Sequence, residues 1–369
     1  MGLAPAIDFF DRFRDGLADR KLGLVTNSAA RNRDGQTTAE ILAGDPDCNL
    51  ACLFTPEHGF NLTAGPSEAV ADGNFNGIPI STLYGERLAP TAQHLADLDA
   101  LVIDLPSLGM RCFTYLATAL RCLRAAAASG CPVLILDRPN PLGRKIEAPV
   151  GNALDRGLLC PMTIPLRYGM SLGEVLGMAA HEEGWPAPVI YACEESHHQP
   201  PWWPPSPNLP SIESALAYAG TVLIEGTALS EGRGTDAPFQ NIGAPGLPAD
   251  EVAGFLTNLK RPGLAIRPAR FEPISSKQQG NLCNGVHITV VDPQCAEPVR
   301  LVLNLLGWVR DNTPELLEPT GLLDALWGGT DLRAWCQRSQ STVEALTASW
   351  QSSALTFEKR RRPFLLTSS

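Results

Sequence analysis

Short apolar runs alternate with longer amphipathic stretches through the first half of the chain. KLGLVTN (21–27), LACLFTP (50–56), ALVIDLP (100–106) and PVLILDR (132–138) are apolar at most positions, and PVIYACE (188–194) is a weaker case of the same pattern. Runs of this kind fit strands covered on both faces, which need no strict alternation of polar and apolar residues. Between them, 37–44, 91–97, 114–128 and 171–183 read as helices, the third of them alanine-rich. Strands alternating with helices predict an α/β fold built on a parallel, doubly wound sheet. Ahead of the first strand, MGLAPAIDFFDRFRDGL (1–17) reads as a short amphipathic helix.

Beyond about residue 195 the texture changes. QPPWWPPSPNLP (199–210) has six prolines in twelve residues, too many for a helix or a central strand, and predicts an ordered, extended segment. EGTALSEGRGTDAPFQNIGAP (225–245) follows, rich in glycine and polar groups. In the remainder, GVHITVVD (285–292) is the clearest strand, LVLNLLGWVRD (301–311) the clearest helix, and KRRR (359–362) a basic end that reads as solvated. No internal repeat or low-complexity tract is present.

With 369 residues, 44% hydrophobic and 18% charged, the chain can bury one large or two ordinary cores, and two domains are expected. A net charge of −10 and a pI near 5.1 argue against nucleic acid or an anionic membrane as partner. An anionic substrate would therefore need locally placed arginines. The ten cysteines are scattered with no CxxC pair, which fits reduced, small core residues and a reducing compartment. The amino terminus lacks the pattern of a signal peptide, so the chain as written reads as cytoplasmic, or as secreted or periplasmic if a leader has been removed. No membrane-length apolar run occurs. No GxGxxG follows the first strand and no metal-ligand spacing is seen, so neither a cofactor nor a metal is expected. The oligomeric state is not legible.

In doubly wound sheets the functional loops gather at the carboxyl ends of the strands. The polar residues there are Asn27, Glu57 with His58, Ser107 to Arg111, and Asp137, Arg138 and Asn140. Glu57, between Pro56 and the apolar Phe54 and Phe60, could be desolvated and kept protonated, as a general acid requires; a helix cap or surface ion pair is the plainer alternative. His58 could be a ligand, a base or a hydrogen-bonded, partly buried residue, and its position favours the last. Arg111 could hold a carboxylate through two parallel hydrogen bonds, or clamp its turn by pairing with Asp104. Tyr115 more often packs in a core with its hydroxyl satisfied. Asp137 and Asn140 could touch a ligand, although such residues beside proline usually build the turn. Trp202 and Trp203 offer a platform for a sugar ring or cover for an interface. Glu225 and Glu231 flank Arg233 in a glycine-rich stretch that is either a site or a mobile loop.

Taken in order, FTPEHGF, GIPISTLYG (77–85), GMRCFTY, LDRPNPLG, IPLRYGMSLGE (164–174), PPSPNLP and EGTALSEGRGTDAPF resemble the successive blocks of the exo-β-N-acetylmuramidase family, formerly a domain of unknown function. The resemblance covers nearly the whole chain. It implies a Rossmann-like domain over 1–200, a smaller α+β domain over 201–369, a cleft between them, and removal of N-acetylmuramic acid from the non-reducing ends of peptidoglycan fragments. The glutamate of PEHG, Glu57, is the leading catalytic candidate. His58 and Glu231 join it as catalytic candidates. Asn27, Arg111, Tyr115, Asn140, Tyr168, Asn208 and Arg233 are the candidate substrate-binding residues, with Arg111 or Arg233 expected on the lactyl carboxylate. Glu231 or Asp104 would be the second carboxylate, unless the substrate's 2-acetamido group takes that part. Two positions depart from the family pattern. Pro106 and Ser107 stand where members carry glutamine and aspartate, and Tyr168 stands for a histidine. These departures motivate a competing reading, a non-catalytic or respecified amino-sugar-binding homologue.

Overall fold

The computed structural model describes residues 2–152, 157–197, 201–337 and 341–366. Met1, which opens the expected amino-terminal helix, and Gln199 and Pro200, which open the proline-rich segment, lie outside the described residues. The strands, in chain order, are β1 (Gly2–Ala4), β2 (Lys21–Val25), β3 (Asn49–Thr55), β4 (Gly73–Phe75), β5 (Ile78–Thr82), β6 (Ala100–Ile103), β7 (Val133–Leu136), β8 (Glu147–Val150), β9 (Pro165–Arg167), β10 (Val189–Tyr191), β11 (Glu194–Ser196), β12 (Asn241–Ala244), β13 (Leu264–Phe271) and β14 (Cys283–Val290). The helices are α1 (Thr38–Gly44), α2 (Ala92–Ala96), α3 (Thr114–Ser129), α4 (Leu172–Glu183), α5 (Ile212–Thr221), α6 (Ala249–Asn258), α7 (Pro298–Asn312), α8 (Gly321–Trp327), α9 (Asp331–Cys336) and α10 (Val343–Arg361).

The fold is α/β, a Rossmann-like, doubly wound parallel sheet joined to a second, smaller α+β unit. Among the described residues the main sheet runs β10-β7-β6-β2-β3-β5-β4, parallel except for the β4–β5 edge hairpin. Numbered by appearance, its six parallel strands stand in the order 3-2-1-4-5-6, and the order reverses between β2 and β6. The apolar runs are buried at every residue of β6 and β7, as strands covered on both faces must be. Local sequence fixes the helix ends. Thr37 with Glu40 and Ser171 with Glu174 form reciprocal capping boxes, and Gly130 closes α3 in the left-handed conformation. Cys112, Cys122 and Cys336 pack as buried thiols, the small-core role expected of them.

The smaller unit has the antiparallel sheet β12-β14-β13 with α5 and α6 packed against it and α7 beside them. Two expectations need correction. The first residues form no α-helix. Gly2–Ala4 pairs with Glu194–Ser196, and short 3-10 turns follow Pro5, broken by non-helical backbone at Phe9. The KRRR end is not simply solvated either: Arg361 is 4% exposed.

The insertion between β7 and α4 carries the β8–β9 ribbon, against which α10 and α7 dock. Buried guanidinium groups join the parts there. Arg361 donates to the Tyr168 and Arg144 carbonyls at 3.1 and 2.8 Å. Arg167 donates to the Pro293 and Ala296 carbonyls at 2.8 and 3.0 Å and pairs with Glu147 at 3.1 Å. Burial pushes Glu147 up to about 7, against the pull of Arg167. A carboxyl raised in the folded state binds its proton more tightly there than in the unfolded chain, so its share of stability is present at low pH and is lost as pH rises through about 7. Glu147→Gln, which keeps hydrogen-bonding atoms without the titration, should flatten the fall of stability between about pH 4.5 and 7, read as urea midpoints across that range.

Candidate active site

At the carboxyl ends of β3 and β6, the chain leaves the sheet into the turn that carries Glu57 and the loop that leads to Thr114, the first residue of α3. The turn after β3 is tight. Gly59 N–H donates to the Pro56 carbonyl at 3.1 Å, with His58 and Gly59 at φ +73° and +75°. Proline presets the entry to this turn and glycine accepts the left-handed exit, which is why the pair brackets Glu57 and His58. A cavity of about 360 Å³ opens there, lined by Glu57, Thr114 and Tyr84 on one side and by Glu225, Arg233 and Phe239 on the other.

Glu57 is 8% exposed and held at both oxygens, by the Ser67 N–H at 3.1 Å and the Thr114 hydroxyl at 2.8 Å. Burial, and then the neighbouring Glu57 charge, raise the pKa of Tyr84. Opposite, Arg233 pairs with Glu225 at 2.9 Å and lies over the Phe239 ring. Burial pushes Glu225 up to about 7, with the Glu231 and Glu57 charges adding to the rise and Arg233 and Lys277 opposing it. Three non-glycine residues lining this cavity, His58, Ser67 and Phe239, have left-handed backbone at φ +73°, +62° and +64°. Residues other than glycine rarely adopt it, and such positions concentrate at sites where geometry is imposed by function.

Of the residues read from sequence, Glu57, His58, Asn208 and Arg233 line this cavity. His58 has both ring nitrogens engaged. A carbonyl can only accept, so Nδ1 donates to Ala64 at 2.8 Å and Nε2 accepts from the Ser206 hydroxyl at 3.1 Å. Asn27 and Tyr115 lie behind the wall. Asn27 Nδ2 donates to the Tyr115 hydroxyl at 3.0 Å, which donates to the Pro205 carbonyl at 2.6 Å. His58 and Tyr115 thus pin the extended proline-rich segment where it borders the cavity.

Other placements differ from expectation. Arg111 is fully buried and holds no carboxylate. It donates to the Ile164 and Leu326 carbonyls at 2.9 and 2.8 Å. Asp104 is also out of the cavity, paired with Arg138 at 2.9 Å and bonded by the Thr38 hydroxyl. Asn140 builds its turn, accepting from Leu142 N–H at 2.9 Å and donating to the Gly143 and Met170 carbonyls at 3.0 and 3.1 Å. Glu231 is 1% exposed behind Arg233, with Lys277 at 2.8 Å, and the carboxyl that reaches the cavity from this loop is Glu225. Sequence reasoning named both glutamates beside Arg233 but took the one in the more distinctive motif. Tyr84 and Thr114 lie in the motif segments GIPISTLYG and GMRCFTY but were given no role, and Ser67 lies in none, because their roles arise only when separate segments converge.

Residues 22–213 match the family model for the amino-terminal domain of the exo-beta-N-acetylmuramidase NamZ, and residues 216–366 the model for its carboxyl-terminal domain. The chain belongs to the exo-β-N-acetylmuramidase NamZ family. This NamZ-family chain is 34% identical over 367 residues to the peptidoglycan beta-N-acetylmuramidase NamZ of Bacillus subtilis (strain 168), covering 96% of this chain and 88% of that protein. A crystal structure of a DUF1343 family protein from Bacteroides fragilis NCTC 9343 superposes with a TM-score of 0.90 at 26% identity over 99% of both chains. A second from the same organism, at 24% identity over 100% of both chains with a TM-score of 0.79, shares the fold.

The two departures from the family pattern meet in space. The Tyr168 hydroxyl lies 3.3 Å from Ser107 Oγ, and Tyr168 is fully buried. Neither residue lines the Glu57 cavity. Tyr168 therefore touches no ligand space there, contrary to its expected binding role, and the departures form a hydrogen-bonded pair in the wall between loops.

Arg111→Lys keeps the charge but not the fork that spans two carbonyls, and should lower stability by about 2 kcal/mol. The check is a urea midpoint. An unchanged midpoint with a raised KM for muramyl substrates would return Arg111 to substrate binding.

Proposed function

We propose that this chain is a glycoside hydrolase that cleaves the β-glycosidic bond of N-acetylmuramic acid at the non-reducing ends of peptidoglycan fragments. The observation that carries the reading is that Glu57, Glu225 and Arg233 line one cavity in a chain of the NamZ family. Hydrolysis through an oxocarbenium-like transition state usually needs two carboxyls, one to protonate the leaving oxygen and one to act on the opposite face of the sugar. Sequence alone suggests Glu57 as the acid. Glu225, buried in the same cavity and raised to about 7, is protonated in about half of the molecules at neutral pH and is the carboxyl suited to act as the acid. Glu57, with each oxygen already accepting a hydrogen bond, becomes the base, the nucleophile, or the group that steers the 2-acetamido oxygen.

Arg233 is the cation positioned for the lactyl carboxylate, since Arg111 is sequestered. Proton uptake by Glu225 would release Arg233 for that role. The second half of the chain supplies Glu225 and Arg233, so the site needs both parts. The free cysteines and the absence of any helix long and apolar enough to cross a membrane, among the described residues, are compatible with action in the cytoplasm. The competing view of a non-catalytic sugar binder rested on Ser107 and Tyr168, which lie outside the cavity and give it no support.

An aryl leaving group needs little acid assistance, so two substrates separate the carboxyl roles. Glu57→Gln should lower turnover of both para-nitrophenyl β-N-acetylmuramide and the muramyl-glucosamine disaccharide by about 10³-fold. Glu225→Gln should do so only for the disaccharide, and wild-type disaccharide turnover should fall as pH rises above about 7. The reverse pattern would assign the acid to Glu57, and no wild-type turnover of either substrate would sink the hydrolase reading. Arg233→Ala should raise KM for muramides about tenfold more than for the glucosaminide lacking the lactyl ether, with steady-state kinetics on the two nitrophenyl glycosides as the check.

A further inference from the structure

A second, wider cavity of about 960 Å³ adjoins the first. The two share Asn208 and the loop at 233–239, with Arg233 and Phe239 facing the Glu57 side and Gly234 to Pro238 facing the other. The far wall is β13, the edge strand of the small sheet, which presents Arg267 and Arg270. Both are exposed, and among the described residues neither side chain makes a hydrogen bond or an ion pair. Other arginines of this chain, Arg138, Arg233 and Arg111 among them, are taken up by carboxylates or carbonyls. Asp236 and Glu272 line the same groove without pairing with them. His287, its Nδ1 donating to Asn241 Oδ1 at 2.8 Å, has its pKa lowered by burial and then by Arg267, so the standing positive charge comes from the two arginines.

Two unspent guanidiniums, flanking carboxylates and amide groups make a surface for a hydroxyl-rich ligand that carries anions, rather than for an apolar one. Ile274, 80% exposed at the rim, adds an apolar contact of the size of a sugar-ring face. The first cavity takes the sugar that is released, and whatever leaves from the cleaved bond must continue into adjoining space. In a peptidoglycan strand freed of its stem peptides, the leaving group is a glucosaminyl residue followed by another muramyl residue whose lactyl carboxylate is free.

Resting on the hydrolase reading above, we infer that this groove holds the leaving-group saccharide, and that Arg267 and Arg270 bind the carboxylate of the muramyl residue beyond the first glucosamine. The two arginines then determine preference for chain length and carry no part of the bond cleavage. Loss of a charged hydrogen bond of this kind corresponds to about a tenfold change in affinity or more.

The test compares the trisaccharide muramyl–glucosaminyl–muramic acid with para-nitrophenyl β-N-acetylmuramide, using the full chain and the Arg267→Ala, Arg270→Ala and double variants. The ratio of KM for trisaccharide over nitrophenyl glycoside should rise about tenfold in the double variant, and the rise should vanish when the terminal carboxylate of the trisaccharide is amidated. A ratio that stays constant, or that rises equally with the amidated sugar, overturns the inference. Calorimetric titration of the trisaccharide into Glu57→Gln, with and without the arginine changes, reads the groove independently of turnover. A tenfold weaker affinity supports the groove even if the nitrophenyl substrate is not hydrolysed, a failure that counts against the hydrolase reading instead, whereas equal affinities overturn it.

Discussion

Buried guanidinium groups that donate to main-chain carbonyls across the junction of the two parts are the constraint on which the rest of the molecule depends. Arg111 reaches the Leu326 carbonyl at the end of α8, Arg167 the carbonyls at Pro293 and Ala296, and Arg361 those at Arg144 and Tyr168. A charge removed from water costs several kcal/mol unless its donors are met, so each grip holds only in one relative placement of the parts. The match must be tight. Gly328 closes α8 at φ +84°, and a Cβ there would lie 2.7 Å from Arg111 Nη2. The placement matters because the cavity is assembled across this junction, with Glu57 and Thr114 from the large sheet facing Glu225 and Arg233 from the loop after α5.

Within that frame the cavity wall is held by hydrogen bonds rather than by regular secondary structure. The proline-rich strap lacks a backbone donor at every proline, and is fixed through its carbonyl and hydroxyl groups by Tyr115 and His58. Left-handed backbone at His58, Ser67 and Phe239 is accompanied by local hydrogen bonds: the His58 ring to the Ala64 carbonyl, Ser67 N–H to Glu57, and Phe239 N–H to the Glu231 carbonyl. The Ser107–Tyr168 pair illustrates the opposite case. A serine and a tyrosine hydroxyl satisfy one another in a buried wall, where a polar group without a partner would be costly, and neither lines the Glu57 cavity.

How much was legible in the sequence can be followed residue by residue. The apolar runs located β2, β3, β6, β7 and β10, and the amphipathic stretches between them located α1 to α4, because periodicity is a local property. Parallel topology then placed Glu57 at a carboxyl edge, where a site is expected. The amino-terminal stretch was misread because amphipathic spacing says nothing of the pairing of β1 with β11, nearly two hundred positions away.

What tertiary structure alone decided was the partner of each charge. Arg111 and Arg233 each stand shortly after a glycine in a motif segment, yet one ends among carbonyls in the core and the other in the cavity. Glu225 and Glu231 lie six positions apart in one loop, and only its path past Lys277 buries the second and exposes the first to Glu57. Sequence by itself determined the fold class, the family motifs and the strand edge that bears Glu57, since these follow from neighbours along the chain. The second carboxyl, the strap and the arginine-lined groove were set by long-range packing, because the free energy of a charge depends on what surrounds it in space.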